Sequence, residues 1–93
     1  MGKYNLPVAY HDLEWWERRE VREQYVSEQS QLCMFCGVDL YTRPKQTRRI
    51  NWKLFPPNFL KHPIHLQHCH KTGLTEGAVH AYCNAVMWQY YGR

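Results

Sequence analysis

Residues 67–84 read QHCHKTGLTEGAVHAYCN, a stretch that joins a turn, a short strand and a pair of metal-binding side chains. The Lys-Thr-Gly segment predicts the turn, and residues 74–79 predict the return strand of a hairpin. His80 and Cys83 follow at the start of a predicted helix that ends at Gly92. Because residues three apart share a face of a helix, we expect these two side chains to point at one ion.

A second pair of candidate ligands, Cys33 and Cys36, lies far upstream with the same spacing. Structural zinc sites use four nitrogen or sulfur ligands, and such pairs recur because one tight turn presents both side chains to one ion. Together, Cys33, Cys36, His80 and Cys83 predict a structural zinc site. The alternatives are buried thiols or a Cys33–Cys36 redox pair, although the chain lacks the βαβ pattern of thioredoxin-like proteins. Cys69, the odd cysteine, is expected to take no part.

The composition fits a small basic protein with reduced thiols. The chain has 93 residues and a net charge of +4, with an isoelectric point of about 9.0. A chain of this size has a marginal core, so a metal ion would stabilise it substantially. The positive charge favours an anionic partner such as DNA. No apolar run reaches the ~18 residues of a membrane span, and we expect a cytoplasmic location, where cysteines bind metal more often than they pair.

The sequence predicts one small α+β domain over residues 1–93. Its expected parts are an N-terminal arm and helix (1–31), a zinc knuckle (32–40), a basic loop (41–60) and a core of hairpin and helix (61–93). The N-terminal helix is expected over 13–30, with Asp12 as its N-cap. Its apolar side chains fall roughly on one face, so it is expected to be amphipathic. The other face carries arginines, which are either solvated or in contact with phosphates; these are Arg18, Arg19 and Arg22.

The basic loop carries clustered cations beside Trp52, and clustered cations either bind DNA or are simply solvated. The candidate DNA contacts are Arg43, Lys45, Arg48, Arg49 and Lys53 in the loop, and Lys71 in the hairpin turn. The segment FPPNFL at 55–60 is expected to pack on the core. His11 and His62 are interpreted as ordinary surface or core residues.

The order of these motifs resembles the HNH nucleases. The shared features are Cys-x-x-Cys, then His-x-His-Lys-Thr-Gly, then Gly-Ala-Val, then a ligand pair that ends in Cys-Asn. The resemblance is closest to the recombination endonuclease VII-like branch, which is common in bacteriophages, and it covers residues 67–92 and the upstream cysteine pair. It implies a zinc-stabilised ββα-metal core and a metal-dependent DNA endonuclease, in the host cell cytoplasm if the chain is encoded by a phage.

The resemblance also implies roles for individual residues. His68 takes the position of the general base, and imidazole suits that role because its pKa lies near neutral pH. Asn84 takes the position of the asparagine that binds the catalytic Mg²⁺ or Mn²⁺ through its amide oxygen, and His70 would hold the phosphate. Taken singly, His68 could be a core histidine and Asn84 an ordinary helix residue. The combination behind a ligand pair favours the catalytic interpretation.

One position departs from the family pattern. Gln67 stands where the family has an Asp or His ligand for the catalytic ion, and a neutral amide oxygen is a weaker ligand than a carboxylate. His65 lies two residues earlier, on the same face of the predicted strand, and could supply a nitrogen ligand that favours Mn²⁺ or Ni²⁺. Glu76 stands where the family often has a basic residue. The alternative function is therefore a zinc-stabilised nucleic-acid-binding module that Gln67 has made inactive. Cutting both strands would require a homodimer.

Overall fold

The computed structural model describes residues 2–92, so Met1 and Arg93 lie outside the described part of the predicted domain. The chain forms a small α+β structure from two α-helices and one two-stranded sheet. The elements are α1 (Trp15–Glu28), β1 (Ile64–His68), β2 (Thr75–His80) and α2 (Ala81–Tyr91), with short 3-10 helices at Tyr10–Asp12 and Trp52–Leu54. Neither helix in residues 2–92 is long and apolar enough to span a bilayer.

The predicted hairpin and its following helix are confirmed. Strands β1 and β2 pair antiparallel, and a bulge interrupts the register between Gln67 and His68. Gly73 turns the chain with a φ of 75°, and its N–H donates to the carbonyl of Cys69 at 2.8 Å. Helix α2 ends at Gly92, which adopts the left-handed conformation that favours glycine at this position. The bulge re-aims the side chain of His68, which is the last residue of β1.

Helix α1 begins later than the sequence predicted. Asp12 lies in the 3-10 helix rather than at the N-cap, and Leu13 is extended. Glu14 is the N-cap instead, in a capping box with Glu17, whose carboxylate accepts from the Glu14 N–H at 2.9 Å. The extended residue after Asp12 separates the two helices. The helix is only weakly amphipathic, since Val21 and Val26 are its buried residues while Trp15 and Trp16 are exposed.

The core lies between β2, α2 and the knuckle. Its fully buried side chains include Val21, Leu40 and Val79. Phe55 and Phe59 pack against this core from the connecting segment, as predicted. Cys33 of the knuckle and Cys83 of α2 belong to the same cluster, so the ligand group is continuous with the core.

The N-terminal arm extends the hairpin. The N–H of Tyr10 donates to the carbonyl of Gly73, and the N–H of Thr75 donates to the carbonyl of Val8, both at 2.8 Å. Farther back, the Tyr4 hydroxyl donates to Glu20 on α1 at 2.6 Å. These bonds place Tyr10 beside the bulge in the hairpin, next to His68.

Candidate metal centre and the adjacent cleft

The four predicted zinc ligands converge on one point. The thiol sulfurs of Cys33, Cys36 and Cys83 and a ring nitrogen of His80 all lie within 4.8 Å of one another, so these residues could hold a metal ion. A tight turn presents the upstream pair, since the Gly37 N–H donates to the Cys33 carbonyl at 3.0 Å and Gly37 has a φ of 77°. Cys69 is not a member of the group.

The hydrogen bonds of His80 select its ligand nitrogen. Nε2 lies 2.9 Å from the backbone carbonyls of Asp39 and Thr42. A carbonyl only accepts, so Nε2 carries the proton and Nδ1 keeps its lone pair. Nδ1 faces the sulfurs of Cys36 at 3.5 Å and Cys83 at 3.6 Å. A zinc tetrahedron with Zn–S of about 2.3 Å and Zn–N of about 2.0 Å has an S···N edge of about 3.5 Å, so both distances fit.

The same group favours a thiolate. The Cys83 thiol and the backbone N–H groups of Cys36 and Phe35 donate to the Cys33 sulfur and lower the pKa of Cys33 to about 4, against the opposing effect of burial. The neighbouring Cys33 sulfur raises the pKa of Cys83 in turn. Without an ion, only one of these two neighbouring thiols therefore ionises readily. A bound divalent cation would stabilise both thiolates at once. The donor set therefore fits a cation that prefers sulfur and nitrogen.

A cleft of about 500 Å³ lies next to the ligand group, on the side of the hairpin and α2. It brings together all five residues predicted for catalysis and for the catalytic cation. These are His65, Gln67, His68, His70 and Asn84. Tyr10, Arg18 and Arg22 also line it. Asn84 is placed there because it follows the ligand Cys83 on the first turn of α2.

His65 and Asn84 form a direct contact at the base of the cleft. The His65 Nε2 lies 2.9 Å from the Phe59 carbonyl and therefore carries the proton. The other ring nitrogen, Nδ1, accepts from the Asn84 amide Nδ2 at 3.0 Å. Burial lowers the pKa of His65, so the ring is neutral near neutral pH and its Nδ1 lone pair can accept this bond.

His68 lies in a cluster of rings. Its imidazole stacks on Tyr10 with centroids 3.9 Å apart, while His11 and His70 lie at 5.3 and 4.8 Å. Burial lowers the pKa of His68, and the neighbouring imidazoles of His70 and His11 and the Arg18 guanidinium lower it further. The ring is consequently neutral at pH 7 and able to accept a proton. The sequence did not indicate Tyr10 or His11 as neighbours of His68, because nothing in their pattern marks a contact across about sixty residues.

Gln67 is held inside the hairpin. It is only 2% exposed, and its amide nitrogen donates to the His68 carbonyl at 3.0 Å and to the Glu76 carboxylate at 3.4 Å. These bonds fix the bulge that orients His68. The Gln67 side chain therefore stabilises the backbone at His68 and also lines the cleft.

The candidate DNA-contact residues lie elsewhere. Among the described residues that line the cleft, none of the six predicted contacts, Arg43, Lys45, Arg48, Arg49, Lys53 and Lys71, is present; its cations are Arg18 and Arg22. The six are all exposed. Arg19, the third arginine of α1, is also exposed and does not line the cleft. Of the nine candidate cations named from the sequence, Arg18 and Arg22 therefore line the cleft and the other seven do not.

Comparisons with protein-family models, with curated proteins and with solved structures found no match for this chain. The assignment of a function accordingly rests on the residues of the site.

Proposed function

We propose that this protein is a metal-dependent DNA endonuclease of the HNH type. The observation that carries the proposal is the shared cleft, in which the neutral imidazole of His68 lies together with the His65–Asn84 pair and two arginines. A general base, a pair of ligand atoms and cationic groups for a phosphate are the parts that phosphodiester hydrolysis requires.

The Cys3His group supports the structural half of the proposal. Cys33, Cys36, His80 and Cys83 would bind a structural Zn²⁺, and the S···N distances and the proton on His80 Nε2 fit that ion. The ion would join the knuckle to the end of β2 and the start of α2. The hairpin and α2 would then form the ββα-metal core that carries the cleft.

The chemistry assigned to the chain begins at His68. His68 accepts a proton from a water molecule, the water oxygen bonds to phosphorus, and the bond from phosphorus to the 3′ oxygen breaks. The leaving oxygen takes its proton from solvent. Stacking on Tyr10 fixes the orientation of the imidazole, and its lowered pKa supplies the unprotonated form that this step needs.

The remaining residues hold the phosphate and the cation. The Asn84 amide oxygen would be a ligand of a catalytic Mg²⁺ or Mn²⁺. The His65 Nδ1 would be a second ligand once the Asn84 amide nitrogen no longer donated to it, and a nitrogen ligand favours Mn²⁺. When bound, the cation supplies positive charge to the phosphate and to the leaving oxygen. Arg18 and Arg22 would hold the phosphate oxygens by charge-assisted hydrogen bonds, and His70 would donate a further hydrogen bond.

The test is nicking of supercoiled plasmid with no added divalent cation, with Mg²⁺ and with Mn²⁺. Activity that needs a cation and that falls by about 10² or more in His68→Ala supports the proposal. His62→Ala is the matched control, because His62 is an exposed histidine at the edge of the same cleft and keeps His68 and the His65–Asn84 pair intact. Equal losses in both variants would contradict the role of His68.

A second candidate function is a zinc-stabilised DNA-binding module without catalysis. The burial of Gln67, and the donation of its amide nitrogen to the His68 carbonyl, favour this alternative, because a family metal ligand is replaced by a structural side chain. In that case the wild-type chain would bind DNA and not nick it with any cation. Nicking that appears only in Gln67→Asp or Gln67→His would identify the silent module. A homodimer would be required for cutting both strands.

A further inference from the structure

The loop that follows the knuckle is fixed to α2 by its backbone. The Tyr82 hydroxyl donates to the Arg48 carbonyl and accepts from the Arg48 N–H, both at 2.7 Å. The Tyr90 hydroxyl donates to the Arg49 carbonyl at 2.6 Å, and the Gln89 amide donates to the same oxygen at 3.3 Å. The cations of this segment therefore project from a held backbone, not from a free loop.

An aromatic ridge, which we define as Trp52, Phe55 and Trp88, connects this loop to the cleft. Phe55 lies between the two indoles, with ring centroids 5.8 Å from Trp52 and 5.4 Å from Trp88. Trp52 is 42% exposed and Trp88 is 44% exposed. Phe55 and Trp88 also line the cleft that holds His65 and Asn84. The ridge thus presents two open indoles along a path that ends at the candidate reaction centre.

Charge around the ridge has one sign. Glu76 is the only acidic residue that follows Asp39 in the sequence, and α2 has no charged side chain. Arg49 and Lys53 border the ridge and are exposed. The surface therefore pairs aromatic faces with cations and has no neighbouring carboxylate in α2 or in the loop.

We infer that the aromatic ridge binds single-stranded DNA, with unpaired bases stacked on Trp52 and Trp88 and with phosphates held by Arg49 and Lys53. Single-strand sites combine stacking aromatics with cations that follow the backbone, whereas the base faces of a blunt duplex are already stacked on each other. The inference deepens the proposed function, on which it rests for the position of the cut: the substrate would have unpaired bases beside the scissile bond.

The four tryptophans allow a direct measurement. Trp15→Phe/Trp16→Phe removes both indoles of α1, so that the tryptophan fluorescence comes from Trp52 and Trp88 alone. In a His68→Ala background without added divalent cation, an oligothymidylate should quench this fluorescence and bind more tightly than a blunt duplex of equal length. Equal quenching by both nucleic acids, or no quenching by either, would overturn the inference.

Single substitutions locate the contact. Trp52→Leu and Trp88→Leu should each weaken oligothymidylate binding about 5- to 150-fold, the range for loss of one stacked base. Trp16→Leu is the matched control, because Trp16 is 43% exposed on α1 and should leave binding unchanged. If Trp88→Leu unfolds, Arg49→Ala/Lys53→Ala provides a second test on exposed side chains. This double variant should reduce the magnitude of the slope of log K against log salt concentration by about 0.7 for each lost phosphate contact.

The outcomes separate this inference from the proposed function. Tight binding of the oligothymidylate by a chain that never nicks DNA would keep the inference and remove the nuclease. Nicking of duplex plasmid by a chain that does not bind the oligothymidylate would remove the inference alone. A concentration-dependent dimer that Trp52→Leu dissociates would show that a second copy covers the ridge, which also overturns the inference.

Discussion

The imidazole of His68 lies flat on the phenol ring of Tyr10, with ring centroids 3.9 Å apart and 11° between the ring planes. The guanidinium of Arg18 lies 4.1 Å from the centre of the same phenol ring. Since two groups at this distance cannot share one face, Tyr10 is enclosed between them. The stack joins the arm, α1 and the hairpin, and it holds the proposed base in one orientation.

Replacing Tyr10 tests the stack. Tyr10→Ala should lower the free energy of unfolding by at least about 0.5–1.5 kcal/mol more than Tyr10→Phe, because a stacked aromatic pair contributes about that amount beyond its buried area and the alanine variant also loses that area. Urea unfolding measures this difference. If the stack positions His68, Tyr10→Ala should also lower kcat for nicking while Tyr10→Phe retains it. Equal activity of the two variants would mean that the ring has a structural role only.

The ligand group should decide whether the domain folds. Cys36→Ala removes an exposed thiol, so it leaves no cavity in the core, yet it should abolish binding of one zinc per chain. Zinc binding contributes about 10–16 kcal/mol in small zinc domains, compared with a total stability of about 5–15 kcal/mol. Loss of the cooperative thermal transition is therefore expected.

Cys69→Ala is the matched control for this substitution, because Cys69 lies outside the ligand group. It should keep both the metal content and the thermal transition. Metal analysis and circular dichroism of the two variants check the result. A Cys36→Ala chain that is metal-free and folded would show that the four side chains do not hold a structural ion.

Local patterns in the sequence predicted the hairpin, α2 and the four ligands, because turn residues, strand alternation and paired spacing act within a few residues. Such patterns do not predict the stack of Tyr10 on His68, because it depends on backbone hydrogen bonds between the N-terminal arm and the hairpin. The predicted start of α1 was wrong for a local reason. Asp12 and Glu14 are both plausible N-caps, but Asp12 belongs to the 3-10 helix, so α1 begins after Glu14. The family resemblance supplied the roles of His68 and Asn84, which spacing alone does not.

His65 should make stability depend on pH. Its pKa is lowered in the folded state by burial, so the unfolded chain binds a proton at a higher pH than the folded chain does. The contribution of the neutral ring is complete above the unfolded pKa and is lost as the pH falls through the folded pKa. Between about pH 7.5 and about 5.5, the wild type should lose more stability than His65→Gln, because only the wild type has this imidazole near its ordinary pKa of about 6.5.

Comparison with His65→Gln isolates one group, because both chains keep the same thiolates and carboxylates. Chemical unfolding at several pH values gives the two curves. The prediction fails if the curves stay parallel, or if His65→Gln loses more stability on acidification than the wild type.

Gly77 lies under the knuckle, where an added side chain would displace the side chains of Met34 and Gln29. A Cβ at this position would lie 2.7 Å from the Met34 sulfur and 2.8 Å from the Gln29 amide oxygen. That oxygen accepts from the Ala78 N–H at 2.8 Å, and the Gln29 amide nitrogen donates to the Ala78 carbonyl at 3.0 Å. Gly77→Ala should therefore cost about 1–3 kcal/mol through displacement of this bridge. Thermal unfolding measures the loss, and an unchanged transition would contradict the close packing.

Gln67→Asp should exchange folding stability for cation affinity. The substitution removes the amide that donates to the His68 carbonyl and places a carboxylate beside Glu76. In buffer free of Mg²⁺ and Mn²⁺, a loss of about 1–3 kcal/mol is expected, because a buried hydrogen-bonded group is left without its donor. A carboxylate is also a stronger ligand for a hard cation than an amide. Added Mg²⁺ or Mn²⁺ should consequently restore part of the lost stability, since a ligand that binds only the folded chain stabilises it.

Gln67→Leu separates the two effects. It removes the same amide without offering a ligand, so it should be destabilised and should gain nothing from the cations beyond what the wild type gains. Thermal unfolding of the three chains with and without Mn²⁺ makes the comparison, in buffer without a chelator so that the Cys3His group stays loaded. A cation-dependent gain confined to Gln67→Asp would place position 67 at the cation site beside Asn84, whereas equal gains in the aspartate and leucine variants would place that cation elsewhere.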